Sequence, residues 1–402
     1  MKRGRFPAAY WWVWAGSLVN YAGSFVVPFF AYYLTGRQGF GPAQVGLVAT
    51  LYGAGGVAST VAAGVAADRF GRRPTLLVAQ LAAAAATLAV GFADGLPLIA
   101  VLAFVLGFTA FGAAPVLSAL VADVVPEQDR KRAYALHYWA VNLGFAAAPV
   151  LAGLLAGHDY RWLFAGDALT TALCAVLIAW RVPEVRATNA EEKEAASGPG
   201  LLHAVRDRAL ITLLLTVFGI VVVYTQYQVT QPIAMREAGL SPAVYGLVSA
   251  VNGAVIVVFQ PLVARLAERC DDSRLLAAGA LLLGVGMAST AFAHSAAGFA
   301  ACVAVWTLGE AIAMPTSNAV VARLAPPGLQ GRYQGLYAMT WALAAVAAPL
   351  AGGWTFGCFG GAPVWAGCLV LGTLAAGGAV VLGRGAERPV PTAETLTLGA
   401  RN

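Results

Sequence analysis

The chain has 402 residues, of which 59% are hydrophobic and 11% charged; its formal net charge is +6 and its mean hydropathy +0.73. Soluble domains carry about 25% charged residues, and a single soluble core stops growing near 250–300 residues. This composition excludes an ordinary soluble globular chain, because so much apolar surface needs a partner other than water, and lipid supplies it.

A bilayer-spanning helix needs about 20 mostly apolar residues. Twelve such runs follow along the chain. Six fall near 10–34, 43–67, 75–94, 97–122, 133–157 and 161–181, and six near 208–235, 242–267, 275–294, 297–322, 333–357 and 361–383. The expected fold is an all-α integral membrane protein. Tyr10, Trp11, Trp12, Trp14, Tyr32, Tyr33, Tyr160 and Trp162 cluster at run ends, where amphipathic rings suit the headgroup region. The first run is of span length with no small-residue cleavage site after it, so a cleavable leader is not expected. The cysteines Cys174, Cys270, Cys302, Cys358 and Cys368 form no CxxC pair. Four of them sit in or at the ends of spans and read as small apolar filler, and no metal or cofactor is expected.

With the N-terminus inside, 22 of the 25 Lys and Arg residues fall on the inner side, leaving Arg37, Arg161 and Arg236 outside. That asymmetry predicts a multi-pass plasma-membrane protein with both termini cytoplasmic. The positive charge then reflects topology and gives no support for nucleic-acid binding. The stretch 64–74, "GVAADRFGRRP", becomes a cytoplasmic turn between spans 2 and 3.

Shifting the chain by 200 residues superimposes it on itself. Gly39, Pro42, Gly46 and Gly53 fall on Gly239, Pro242, Gly246 and Gly253; Pro115 and Pro149 fall on Pro315 and Pro349; Arg132 falls on Arg332. Generic apolar composition does not align prolines and glycines in this way. The expected organisation is a six-helix bundle over 1–181, a polar cytoplasmic connector over 182–207, a second bundle over 208–383 and a tail over 384–402.

Two pseudo-symmetric six-helix halves, a long connector and the pattern Gly64-x-x-x-Asp68-Arg69-x-Gly71-Arg72-Arg73 resemble the major facilitator superfamily, in particular its twelve-helix drug:proton antiporter branch. The counterpart loop after span 8 keeps only Glu268 and Arg269 of that signature. Physically, Gly64 permits close helix approach and Gly71 an unusual turn. Asp68 is placed to accept bonds from the next helix start, and Arg72 and Arg73 to pair with a carboxylate such as Asp123 at the end of span 4. The resemblance implies that this loop latches the inner side shut in the outward-facing state. It also implies a site near the midplane between the halves.

Charge inside a bilayer costs at least a few kcal/mol, so an acid is rarely there without a role. Of 19 acidic residues, two lie within spans, Glu310 and Asp167. Glu310 sits about 20 Å from the outer end of span 10, near mid-membrane, in a span without Lys or Arg. A carboxyl that is neutral when buried and charged when wetted suits a proton carrier. Asp167, near the start of span 6, is the second coupling candidate, with a structural cap or an ion pair with Arg161 as alternatives. Polar stripes on spans 1, 5, 7, 8, 10 and 11 predict one cavity lined by Asn20, Trp139, Asn142, Tyr224, Gln228, Asn252, Trp306 and Trp341. Rich in aromatics and amides and poor in fixed charge, it suits a weakly polar or amphipathic molecule.

Span 5, from Asn142 to Gly153, resembles the glycine–proline motif of drug–proton antiporters, with Ala148 and Ala152 where that motif has glycine. In span 4, Ala103 stands where the efflux branch often has an arginine. The reading is a monomeric secondary transporter, not an enzyme, with a small-molecule substrate, protons and the lipid bilayer as partners and proton-coupled efflux by alternating access as its work. The alternatives are a proton symporter or facilitator importing a small metabolite and, in another class, a membrane-embedded enzyme or a receptor. For an enzyme only Asp271 and Asp272 stand out, and they lack a second acidic cluster.

Overall fold

The computed structural model describes residues 6–182, 206–267, 269–326 and 329–386. Every regular element among them is helical. Eleven stretches are long and apolar enough to cross a bilayer, and the 29-residue helix Pro42–Phe70 fills the remaining place in the repeat. The connector lies almost wholly outside the described residues, as do Glu268 and most of the tail.

Span 1 is two helices, α1 (Ala8–Ala22) and α2 (Val26–Gly36), where the sequence predicted one. Gly23 ends α1, and a Cβ there would fall 1.9 Å from Thr170 Oγ1 of span 6. Pro28 sits in the first turn of α2, where a missing N–H costs nothing. The remaining spans of the first half are α3 (Pro42–Phe70), α4 (Arg72–Phe92), α5 (Leu96–Val124), α6 (Glu127–Ala156) and α7 (Tyr160–Arg181). Those of the second half are α8 (Arg208–Glu237), α9 (Pro242–Ala267), α10 (Asp272–Ala288, continued by a 3₁₀ turn to Phe292), α11 (Ala296–Leu324), α12 (Gln330–Phe359) and α13 (Gly361–Ala386).

The repeat survives in the backbone. α3, α4 and α5 begin at 42, 72 and 96, and their counterparts at 242, 272 and 296. The halves solve the same helix starts differently. Gly71 and Gly95 precede α4 and α5 at φ 92° and 85°, a region open to glycine. At the matching positions Asp271 and Ser295 cap α10 and α11 with their side chains. Asp271 accepts from the Ser273 hydroxyl and from two backbone amides, which hold its carboxyl below the usual carboxylate range.

The halves meet along α3 with α12 and α6 with α9, joined through small residues. A Cβ on Gly46 would lie 2.4 Å from Pro349 O, and one on Gly246 2.3 Å from Pro149 O, which is the same contact repeated 200 positions on. Without a hydrophobic drive between helices in lipid, such close backbone packing is what holds them together. These contacts lie toward one end of the molecule. At the other end lie the turns with Arg69, Arg265 and Arg323, here termed the basic face.

Candidate functional site

Between the halves lies a cavity of about 350 Å³. One wall is apolar and comes from the first half, with Val26, Phe30, Val45, Ala49 and Phe111 from α2, α3 and α5; Tyr52 adds a phenol. The second half supplies Tyr224, Thr225 and Gln228 from α8 and Trp341 from α12. The Thr225 hydroxyl is spent on the carbonyl of Val221 at 2.7 Å. A ligand therefore finds its polar partners chiefly at Tyr224 and Gln228. The volume is near the lower end for small-molecule sites, and no charged residue lines it among the described residues.

The face opposite the basic turns is sealed. Tyr32 of α2 donates to Leu240 O at 3.2 Å, and Tyr245 of α9 donates back to Pro28 O at 2.8 Å. The two rings stack with centroids 4.8 Å apart. Thr50 of α3 donates to Val346 O of α12 at 3.1 Å. Toward the basic face the packing loosens. α9 buries Tyr245, Gly246 and Val248 but no described residue from Ser249 to Val263. The molecule is thus closed at one face and open toward the basic one.

Glu310 lies midway along α11, which runs from Ala296 to Leu324. Asn252 Nδ2 of α9 donates to its Oε2 at 2.7 Å and to Thr307 Oγ1 at 3.0 Å. The Tyr224 phenol lies on the side of the Glu310 carboxyl toward the cavity. Tyr224 packs on Tyr227, Trp306 and Trp341, with centroids 4.9, 6.2 and 6.3 Å away. Gln228 Nε2 donates to the Tyr227 oxygen at 2.7 Å. Glu310 therefore sits behind an aromatic cluster whose front ring, Tyr224, faces the cavity. Tyr227 was not picked out by the sequence reading. It lies three residues after Tyr224, on the same helix face, and that spacing was available.

The cavity differs from the sequence expectation. Tyr224, Gln228 and Trp341 line it; Asn20, Trp139, Asn252 and Trp306 do not. The glycine contacts draw α3 and α12 together, so spans 2 and 4 furnish wall that spans 5, 8 and 10 were expected to give. Trp306 is buried behind Tyr224, its indole Nε1 without a hydrogen-bond partner. Trp139 is 72% exposed. Asn20 buries an unpartnered Oδ1 within the first half. The side chain of Asn142 lies outside the described residues.

Asp167 is committed elsewhere. Its Oδ2 accepts from Val26 N at 3.0 Å, so it caps the start of α2 from across the bundle. Carboxylates at a helix N-terminus satisfy orphan amides and oppose the dipole. This realises the cap alternative. Among the described residues no ion pair with Arg161 accompanies it, since the Arg161 guanidinium lies over Phe92 at 5.7 Å.

At the signature loop, Gly71 makes the expected turn at φ 92°. The Arg73 guanidinium donates to the backbone carbonyl of Ala179, near the end of α7, where a carboxylate partner was expected. A cation there meets the negative end of the helix dipole. Arg69 is exposed and lies over Phe70 at 5.4 Å. Arg72 also has a partner. The packing at Gly64 and the side chains of Asp68 and Asp123 lie outside the described residues. In the second half Arg323 and Asp272 form an ion pair at the basic face.

Two six-helix halves around a central cavity, sealed at one face and open at the other, define a membrane transporter. The family model of the Major Facilitator Superfamily matches residues 13–233 and 225–399, and the chain belongs to that family. An uncharacterised MFS-type transporter of Bacillus subtilis, YhjO, is 26% identical over 345 residues, covering 86% of this chain and 85% of that one. The multidrug resistance protein MdtH of Escherichia coli is 26% identical over 297 residues, covering 73% and 72%. The crystal structure of the nucleoside transporter NupG shares the fold at a TM-score of 0.78 and 11% identity, covering 95% of this chain and 100% of that one. The protein is a transporter and not an enzyme.

Proposed function

We propose that this transporter exports small, weakly polar or amphipathic organic molecules in exchange for protons, with the basic face cytoplasmic. The observation that carries the reading is Glu310. It is an acid midway along a membrane helix, bonded to the neutral amide of Asn252, with Tyr224 of the cavity wall nearby and no Lys, Arg or His among the described residues bonded to it. A lone carboxyl there is stable as the neutral acid and ionises when the site wets, which is what a proton carrier requires. The apolar wall, uncharged among the described residues, supports an amphipathic substrate over a phosphate or sugar acid. The name of the MdtH relative agrees with export. The halves 1–181 and 208–383 rock about the site, joined by 182–207, and the loop Gly64–Arg73 with Asp123 latches the cytoplasmic side when the other face opens. Asp167, as a cap, plays no part in coupling.

Glu310→Gln tests this. In proteoliposomes with an imposed proton gradient, the variant should lose gradient-driven accumulation and keep substrate exchange, because the amide preserves shape and part of the bonding. Uphill pumping by Glu310→Gln at the parent rate would remove Glu310 from coupling. Substrate moving with protons instead of against them would establish the importing alternative.

A further inference from the structure

At the sealed face the two halves enclose a second cavity, of about 290 Å³. Thr35 near the end of α2 and Phe40 and Pro42 at the start of α3 line it from the first half; Ile233, Arg236 and Glu237 at the end of α8 line it from the second. It adjoins the seal. Tyr32, one turn before Thr35, donates to Leu240 O, just beyond Glu237. The turns at Gly39 and Gly239, with φ 69° and 76°, and the prolines Pro42 and Pro242 belong to the 200-residue repeat, but the charges do not. Where the second half has Arg236 and Glu237, the first has Gly36 and Arg37. The helix dipole favours an arginine in the last turn of α8 and disfavours the acid beside it. Glu237 gains no compensation from the protein. Among the described residues neither it nor Arg236 has an ion-pair or hydrogen-bond partner. Successive residues on a helix point about 100° apart, so the two do not serve each other. The Thr35 hydroxyl spends its hydrogen on Ala31 O at 2.8 Å and is left as an acceptor.

We propose that this cavity binds a small zwitterion with an apolar side group, the chemistry of a hydrophobic α-amino acid, and that its occupant holds the sealed face shut. Arg236 takes the carboxylate in a charge-assisted bond. Glu237 accepts from the ammonium, with the Thr35 oxygen as a second acceptor. The side group lies on Phe40, Pro42 and Ile233. An anion alone meets Glu237 unopposed, and a cation alone meets Arg236, so the site calls for both charges on one molecule. Its two walls belong to different halves, so it exists only while Tyr32 and Tyr245 hold them together. Opening that face carries α8 away from α2 and α3 and takes the site apart. A ligand that binds one of two states shifts the population toward it, so occupancy suppresses opening. The site shares no residue with the central cavity and acts without Glu310. It is a brake applied from the face opposite the basic one.

Phenylalanine, 3-phenylpropionate and phenethylamine are matched probes, carrying both charges, the anion alone and the cation alone. In the full chain with the exposed Cys270 and Cys358 replaced by serine, Thr35→Cys places a thiol in the site and Thr50→Cys places one at the seam outside it. Phenylalanine should slow maleimide labelling of both, the first because the thiol is covered and the second because the face stays shut. It should half-protect Thr35→Cys at a concentration about tenfold or more below that of either single-charge probe, the worth of a hydrogen bond to a charged group. Arg236→Gln should erase its advantage over phenethylamine, and Glu237→Gln its advantage over 3-phenylpropionate. Calorimetric titration of the parent needs no substitution in the site and should give the same order of affinity. No protection by phenylalanine, equal protection by all three probes, or protection that both glutamine variants leave unchanged would each overturn the proposal. So would protection of Thr35→Cys with Thr50→Cys still labelled at its unliganded rate. Should the variants fail to fold, a parent that binds the three probes equally, or binds none, overturns it alone.

Discussion

Arg323 pairs with Asp272, and 200 residues earlier the chain has Asp123 and Arg72, so the second half holds the same two positions with their charges exchanged. By its consensus letters the signature loop fades after span 8, yet an acid–base link between the start of one helix and the end of the next remains. Arg323 is 66% exposed and Asp272 19%, so the pair is of the surface kind. Such pairs contribute about 0–1 kcal/mol. Reversing one charge, as in Asp272→Arg, should lower the thermal midpoint of the purified protein. The double reversal Asp272→Arg with Arg323→Asp should restore it, with a coupling of about 0.5–1 kcal/mol. A double variant no better than the worse single one would leave the pair with no energetic role.

Asp167 should matter for folding and not for coupling. Its carboxylate holds the amide of Val26 at 3.0 Å within a protein whose first span is broken. Asp167→Ala leaves the buried amide of Val26 without its partner, at a cost of about 1–3 kcal/mol. Asp167→Asn keeps an acceptor and should lose less. Thermal unfolding ranks the two. Gradient-driven transport by Asp167→Asn should keep the parent's substrate-to-proton ratio, and a changed ratio would return Asp167 to the coupling chemistry.

The architecture was legible in the sequence for a physical reason. A span must be apolar along its whole length, and the turns must carry the basic residues, so both signals are written in composition. Repetition also showed: Gly46 and Gly246 were visible as a pair before their shared contact with Pro349 and Pro149. Glu310 stood out in the sequence because an acid among apolar residues is costly in a bilayer. What sequence could not give was which side of a helix meets which neighbour. Asp167 and Glu310 look alike as intramembrane acids; one accepts from the Val26 amide of α2 and the other from Asn252 of α9. The break in span 1 was foreshadowed by Gly23, but a glycine inside an apolar run marks close packing as often as a break.

The crossed tyrosines should set how readily the sealed face opens. Tyr32 and Tyr245 each donate to a carbonyl of the other half. A neutral hydrogen bond contributes about 0.5–1.5 kcal/mol, so each of Tyr32→Phe and Tyr245→Phe should raise the population open at that face about two- to tenfold. Distances between spin labels on α2 and α9 measure that population. A distribution unchanged in the double variant would assign the seal to the glycine contacts alone.

Those glycine contacts lead to the strictest test of the two-fold relationship. A Cβ at Gly46 would lie 2.4 Å from Pro349 O and 2.9 Å from Gly353 Cα, both of them backbone atoms that cannot swing aside. At Gly246 it would meet Pro149 O at 2.3 Å and Gly153 Cα at 3.2 Å. Gly46→Val and Gly246→Val should therefore have one phenotype: the halves cannot close at that face, and transport stops. Gly367, with nothing within 4 Å of its Cβ position, is the control, and Gly367→Val should be silent. Thr50 is buried at the seam, bonded to Val346 O, so Thr50→Cys reports the opening. With the exposed Cys270 and Cys358 replaced by serine, a membrane-impermeant maleimide should label Thr50→Cys slowly in the parent and at least tenfold faster in both valine variants. Labelling that rises in one valine variant and stays low in the other would mean that the two seams do not carry closure equally, and the functional symmetry of the halves would fail with it.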